Sequence, residues 1–231
     1  MYFSYGQTEI DYLTSRDARL GWAIERIGPV QREVQNDLFT AVLHCIVGQQ
    51  ISTAAHITIW NRFLDTFGTI DPPMICALDS ETLQNLGISF RKADYILDFA
   101  HKVCSGELDL DALVTLDDQA FIEQLITLRG IGTWTAEMLL TFCLQRPDVL
   151  SYGDLAIQRG LRMLYRHRTI DPARFAKYHR RYSPYSTTAS LYLWAIAGGA
   201  IPELTDPAPK KKSTAKHPRK PKKAVEQIPR P

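Results

Sequence analysis

In LITLRGIGTWTAEMLL, residues 125–140, two apolar runs are joined by Arg129, Gly130, Ile131 and Gly132, and Thr133, Trp134 and Thr135 follow at once. One glycine suffices to close a helix, because the left-handed conformation there is easy only without a Cβ. A second glycine leaves the loop surface bare, so that the amides of Ile131, Gly132 and Thr133 can point outward at the start of the next helix. Unpaired amides at a helix N-terminus form an anion site, and a phosphate fits it without any lysine. For a G-x-G alone, a plain tight turn between antiparallel helices is the competing explanation. Further on, in SYGDLAIQRG, Asp154 follows a glycine and precedes an apolar-periodic run, the position of a helix N-cap. Asp148, after Arg-Pro, reads as a loop carboxylate.

The elements that must position these residues are helical. Period-2 runs of β-branched and aromatic residues are missing, as are Asn-Gly and Asp-Gly turns, whereas the 3.6-residue period recurs along the chain. Asp37 is placed to cap LFTAVLHCIVGQQ, and Ser52 to cap TAAHITIWNRFLDTFG, with Gly68 as its stop. The short DSETLQNLG follows, then SFRKADYILDFAHKVCSG, DDQAFIEQLITL, TWTAEMLLTFCLQ, DLAIQRGLRMLY, DPARFAKYHRRY and SPYSTTASLYLWAIAGG. This predicts about nine helices in one all-α body over residues 1–206, with a lead-in around RLGWAIERIG. Among the histidines, His44 and His101 read as isolated on helices, and His167 and His179 as surface residues.

Charge divides the chain unevenly. The net charge is +2, yet residues 207–231 hold nine of the 27 Lys and Arg and one of the 25 Asp and Glu. The tail is therefore +8 and the body, with 18 basic and 24 acidic side chains, −6. PAPKKKSTAKHPRKPKKAVEQIPRP has almost nothing to bury, so a disordered basic tail is expected, suited to a polyanion or merely solubilising. No apolar stretch reaches membrane-spanning length and no secretion signal begins the chain, which makes a cytoplasmic, nucleoid-associated protein the expectation for a prokaryote. Four cysteines at 45, 76, 104 and 143 form no CxxC pair, so neither a zinc site nor an Fe–S cluster is signalled.

The full pattern Leu-x-Gly-Ile-Gly-x-Trp-Thr-Ala, completed by SYGDLAIQRG, resembles the signature of the helix-hairpin-helix (HhH-GPD) DNA glycosylase superfamily, whose Gly/Pro-rich loop is followed by an Asp. Asp154 lies 20 residues after Trp134, the separation of the alkylation-repair branch, that of 3-methyladenine DNA glycosylase II. LFTAVLHCIVGQQISTAA is similar to the family's early helix and intercalating loop, and ISFRKADYILDFA to its central helix. The resemblance covers roughly residues 17–200, without the N-terminal β domain of longer members. It implies an all-α fold of two packed subdomains with the active site in the cleft between them.

On that resemblance, the protein hydrolyses the N-glycosidic bond of alkylated purines in double-stranded DNA as a monomer, with Asp154 stabilising the oxocarbenium-like sugar. Members that also cut the backbone carry a lysine where Trp134 stands, so Trp134 implies a monofunctional enzyme. Trp134 would pack beside Asp154 and shield it from water. Trp194 would be the platform for the flipped, cationic base. Met138 and Ala195 stand where the long bacterial enzyme has tyrosines, giving a less aromatic pocket. Gln50, with Gln49 beside it, would fill the hole left by the extruded base. Gly130, Ile131, Gly132, Thr133 and Thr135 would hold the DNA phosphate, helped by Arg129, Arg159 and Arg162. No cofactor is required, although the carbonyls of Ile126, Leu128 and Ile131 could hold a structural Na⁺ or K⁺. Hypoxanthine, uracil or an oxidised base are alternative substrates, and a non-catalytic lesion-binding module is the alternative from another class.

Overall fold

The computed structural model describes residues 1–208, so the expected basic tail, apart from Pro207 and Ala208, lies outside the described residues. Thirteen helices follow one another: α1 (Gln7–Arg16), α2 (Ala18–Ile27), α3 (Leu38–Gly48), α4 (Thr53–Phe67), α5 (Pro72–Cys76), α6 (Ser80–Asn85), α7 (Phe90–Cys104), α8 (Leu110–Thr115), α9 (Asp118–Leu125), α10 (Thr133–Phe142), α11 (Leu155–Tyr165), α12 (Pro172–Tyr182) and α13 (Ser186–Ala197). Among the described residues the only β feature is a single bridge between Tyr2 and Glu33. The all-α reading holds, and the count exceeds nine for physical reasons. The lead-in is a complete helix, α2, whose cap Asp17 accepts from the amides of Arg19 and Leu20. Helices α5 and α8 have five and six residues, too few to display a period. Helix α1 is mostly polar and buries only Leu13. The other starts follow the expected side-chain logic, with Asp37, Ser52, Ser89, Asp117 and Asp154 each accepting a first-turn amide.

Two hydrophobic cores form. The middle of the chain, α3 to α10, builds one around Phe39, Phe63, Phe99 and Phe121. The two ends, α1 and α2 with α11 to α13, build the other around Leu20, Leu161, Tyr182 and Leu193. Fully buried Tyr182 and Tyr192 keep hydroxyl partners in Tyr165 and Tyr5, at 2.7 and 3.2 Å, which removes the penalty of burying them. In the second core α11 presses directly on α13: a Cβ at Gly160 would lie 2.3 Å from the Leu193 carbonyl oxygen. The chain crosses between cores at adjacent residues, since Val149 belongs to the first and Leu150 to the second. Asp154 comes four residues later, so its place at the boundary is fixed from both sides.

Candidate active site

The turn between α9 and α10 is held from within and leaves its outer rim unspent. Gly130 has φ +84°, and a Cβ there would meet the Tyr95 ring at 2.3 Å, so glycine is demanded by conformation and by space. Arg129 also lies over this ring, its guanidinium 5.4 Å from the Tyr95 ring centre. Gly132 differs: a Cβ would meet nothing within 4 Å, and the residue serves as the α10 N-cap without any side-chain cap bond. Its neighbours α9 and α11 are capped by Asp117 and Asp154, so α10 starts with free amides facing open space. One expected donor is spent, however, because the Ile131 amide bonds the Leu128 carbonyl at 3.1 Å. Of the amides expected to face an anion, those of Gly132 and Thr133 remain without a backbone partner among the described residues. The carbonyls of Ile126 and Ile131 accept no backbone bond among the described residues, and that of Leu128 accepts one.

Asp154 is buried, with both carboxylate oxygens engaged. Oδ1 accepts from the amides of Ala156 at 2.8 Å and Ile157 at 2.9 Å. Oδ2 accepts from the Trp134 indole N–H at 3.0 Å. A cap position and a directed carboxylate thus coincide. Trp134 does sit beside Asp154, but as a hydrogen-bond donor that remains 48% exposed rather than as a closed hydrophobic cover. Below them Glu137, one turn further along α10, accepts from the Ser151 hydroxyl. Burial pushes the Glu137 pKa up, the Ser151 bond pulls against this, and the charge of Asp154 adds to the rise. Asp148 is more than a loop residue. It accepts from the Ser183 hydroxyl and the Ser186 amide, fixing the start of α13.

The two glutamines after α3 have different fates. Gln49 donates its amide to the Gly130 carbonyl at 2.8 Å, tying the loop to the hairpin. Gln50 is exposed and holds φ +56°, a left-handed conformation that costs a side-chain-bearing residue about 1 kcal/mol. Of the pair, Gln50 is the one free to enter a duplex. Lys92, which sequence reasoning passed over, braces this end of α3 from below: its buried ammonium donates to the Val47 carbonyl at 2.8 Å.

Between Gln49, Gln50 and Trp134 opens a cavity of about 470 Å³, also lined by His44, His56, Thr135 and Met138. It shares His44, Cys45 and Met138 with a larger space of about 910 Å³ that extends to Arg32 and Phe142. Trp194 does not line the smaller cavity with Trp134 and Met138. It packs against Phe142, ring centres 5.4 Å apart, while the Arg32 guanidinium stands 6.0 Å over its ring. His44 is not isolated either; its ring lies 4.1 Å from that of His56. Their positions, six residues to either side of Gln50, could have shown this, because a helix–loop–helix centred there brings them together. His167 bonds the Tyr178 hydroxyl at 2.7 Å. Arg162 is committed to Asp206 by two bonds of 2.9 and 2.6 Å and is not a free phosphate ligand, whereas Arg159 stands half-exposed 3.9 Å from the same carboxylate.

The model of the HhH-GPD superfamily of base excision DNA repair proteins matches residues 43–183. The chain belongs to this superfamily. The matched span runs from the middle of α3 through the loop of Gln49 and Gln50, the hairpin and Asp154 to the end of α12. DNA-3-methyladenine glycosylase 1 of Schizosaccharomyces pombe is 32% identical over 75% of this chain and 78% of its own. A longer Bacillus subtilis relative is also 32% identical, and there the chain spans 58% of its length. Among solved structures, DNA-3-methyladenine glycosidase from Bacillus halodurans superposes with a TM-score of 0.77 at 37% identity, over 88% of this chain and 95% of that one. The S. pombe 3-methyladenine DNA glycosylase, solved with abasic DNA, gives 0.74 at 28% identity, over 83% and 97%.

Proposed function

We propose that this protein is a monofunctional DNA glycosylase that hydrolyses the N-glycosidic bond of alkylated purines, 3-methyladenine and 7-methylguanine among them, in double-stranded DNA. The observation that carries this reading is Asp154, held by two amides and by the indole of Trp134, which itself lines a cavity large enough for a purine. As the base departs, positive charge develops on the sugar, and a carboxylate that need not reorganise stabilises it. The free amides at the start of α10 hold a backbone phosphate, which sets the sugar against Asp154. Gln50 takes the place of the extruded nucleotide. The cleft extending to Trp60 and to Phe142, against which Trp194 packs, offers an electron-rich face to a cationic base. The relatives' names support alkylated purines over hypoxanthine, uracil or oxidised bases.

Cleavage of the backbone by this route needs an amine at the sugar, and position 134 supplies an indole instead. The product is therefore an intact strand with an abasic site, released by a monomer without a cofactor. The carbonyls of Ile126, Leu128 and Ile131 suit a monovalent cation that supports the hairpin against the phosphate. The deciding experiment treats a methylated duplex with purified protein and assays free base, then strand breaks with and without alkali. Release of 3-methyladenine, with breaks only after alkali, is expected. Breaks without alkali would overturn the monofunctional reading, and no release would overturn the substrate class.

A further inference from the structure

The cavity wall facing Trp134 has no part in the chemistry above, yet it is built from groups that seldom gather without a purpose. His44 on α3 and His56 on α4 lie with ring centres 4.1 Å apart, tilted by 46°. His44 in turn meets Trp60 edge-on at 4.8 Å. Both imidazoles line the cavity. His56 Nε2 is buried and has no hydrogen-bond partner, one of two such side-chain atoms among the described residues. An unpaired buried polar atom is a cost to the fold unless another molecule completes it. The ring is also seated closely, since a Cβ at Gly48 would lie 2.7 Å from its Cε1.

We propose that His56, backed by His44, hydrogen-bonds the edge of the extruded purine and so determines which bases are accepted. The assignment rests on the cavity being the base pocket of the proposed glycosylase. A neutral imidazole presents one donor and one acceptor nitrogen. With its other nitrogen bonded to the His44 backbone, neutral His56 keeps Nε2 as an acceptor for a purine amino group, which 3-methyladenine and 7-methylguanine both carry. Charge matters as well, because an alkylated purine is a cation that a protonated wall would repel. Burial, then the neighbouring His56, pushes the His44 pKa down to about 4. Burial lowers that of His56, a bond to the His44 backbone opposes this, and Lys92 on α7 lowers it further. The pair also supplies aromatic surface to the cavity that Met138 lines, with Trp60 in edge contact with His44.

The test compares wild type with His56→Leu and His56→Gln in two assays. One is single-turnover release of 3-methyladenine and 7-methylguanine from methylated duplex DNA. The other is binding to a duplex carrying an abasic-site analogue, which has no base to read. His56→Leu should slow release about tenfold or more, and His56→Gln should recover most of it. All three proteins should bind the abasic duplex within about twofold of one another. Undiminished release by His56→Leu would overturn the assignment. So would a parallel fall in abasic binding and melting temperature, which marks a purely structural residue. If wild type itself releases no alkylated base, the substrate reading fails and the His56 assignment with it.

Discussion

Asp154, bonded to the Trp134 indole, and the histidines that line a cavity with Trp134 are finished to different degrees. Around Asp154 the valences are closed: three donors engage its two oxygens, and Glu137 and Ser151 are paired beneath it. Across the cavity they are open. His56 Nε2 has no partner and Gln50 stands exposed in a left-handed conformation. The difference teaches which group does which work. A carboxylate that stabilises developing charge is effective because it does not move. Groups that must receive an extruded nucleotide keep their bonding capacity until it arrives.

The largest expected effect breaks the closed side. In Asp154→Asn the side-chain oxygen can still cap α11, since Asn is as good a cap as Asp. Its amide would then face the Trp134 N–H, donor against donor, and the negative charge is gone. Base release should fall about 10³-fold or more while stability changes by less than about 1 kcal/mol. Single-turnover release with a parallel melting curve measures both. An Asn variant that excises normally would remove Asp154 from the chemistry.

The two glycines of the hairpin sharpen the same contrast. Gly130→Ala forces φ +84° on alanine and drives its Cβ into Tyr95, so a loss of about 2–3 kcal/mol is expected on denaturant unfolding. Gly132→Ala meets open space, and stability should stay within about 0.5 kcal/mol. Its methyl would nevertheless occupy the phosphate approach and weaken binding to abasic duplex about tenfold. If Gly132→Ala binds normally, the phosphate is held elsewhere.

The closed side was also the legible side. Gly130, Gly132, Trp134 and Asp154 lie in two short segments whose roles follow from local rules, a left-handed turn and a helix cap, and local rules are written in adjacent residues. Eight of the nine expected helices begin where an Asp or Ser caps them or where the hairpin demands it. The open side depends on chain returns. Trp194, expected as the platform for the flipped base, packs on Phe142 under Arg32, contacts between residues 52 and more positions apart that no local pattern displays. Arg162 reads as a free cation until Asp206, 44 residues later, returns to it. Helices α5 and α8 were missed because a single turn carries no period.

A smaller effect separates the paired glutamines. Gln49→Ala loses its bond to the Gly130 carbonyl and loosens the loop from the hairpin, costing about 1 kcal/mol. Gln50→Gly relieves the left-handed backbone and should gain about 0.5–1 kcal/mol. Yet Gln50→Gly should release base more slowly, because nothing then fills the vacated stack. Stabilisation accompanied by unimpaired release would show that another residue is the wedge.

The smallest effect concerns acid. His44 binds a proton at about 4 when folded, against 6.5 for the free side chain. Between those values the unfolded chain takes up a proton that the folded chain refuses, so stability is intact above pH 6.5 and declines as pH falls toward about 4. Because part of the ring is open to the cavity, the slope should stay well below the limit of about 1.4 kcal/mol per pH unit. His44→Gln cannot take up that proton and should unfold with a flatter pH dependence over this interval, which denaturant melts at pH 7, 6 and 5 would resolve. If its slope matches that of wild type, His44 is more hydrated than its place beside His56 indicates. The wall would then carry positive charge in mild acid, where it would repel the cationic bases it is placed to receive.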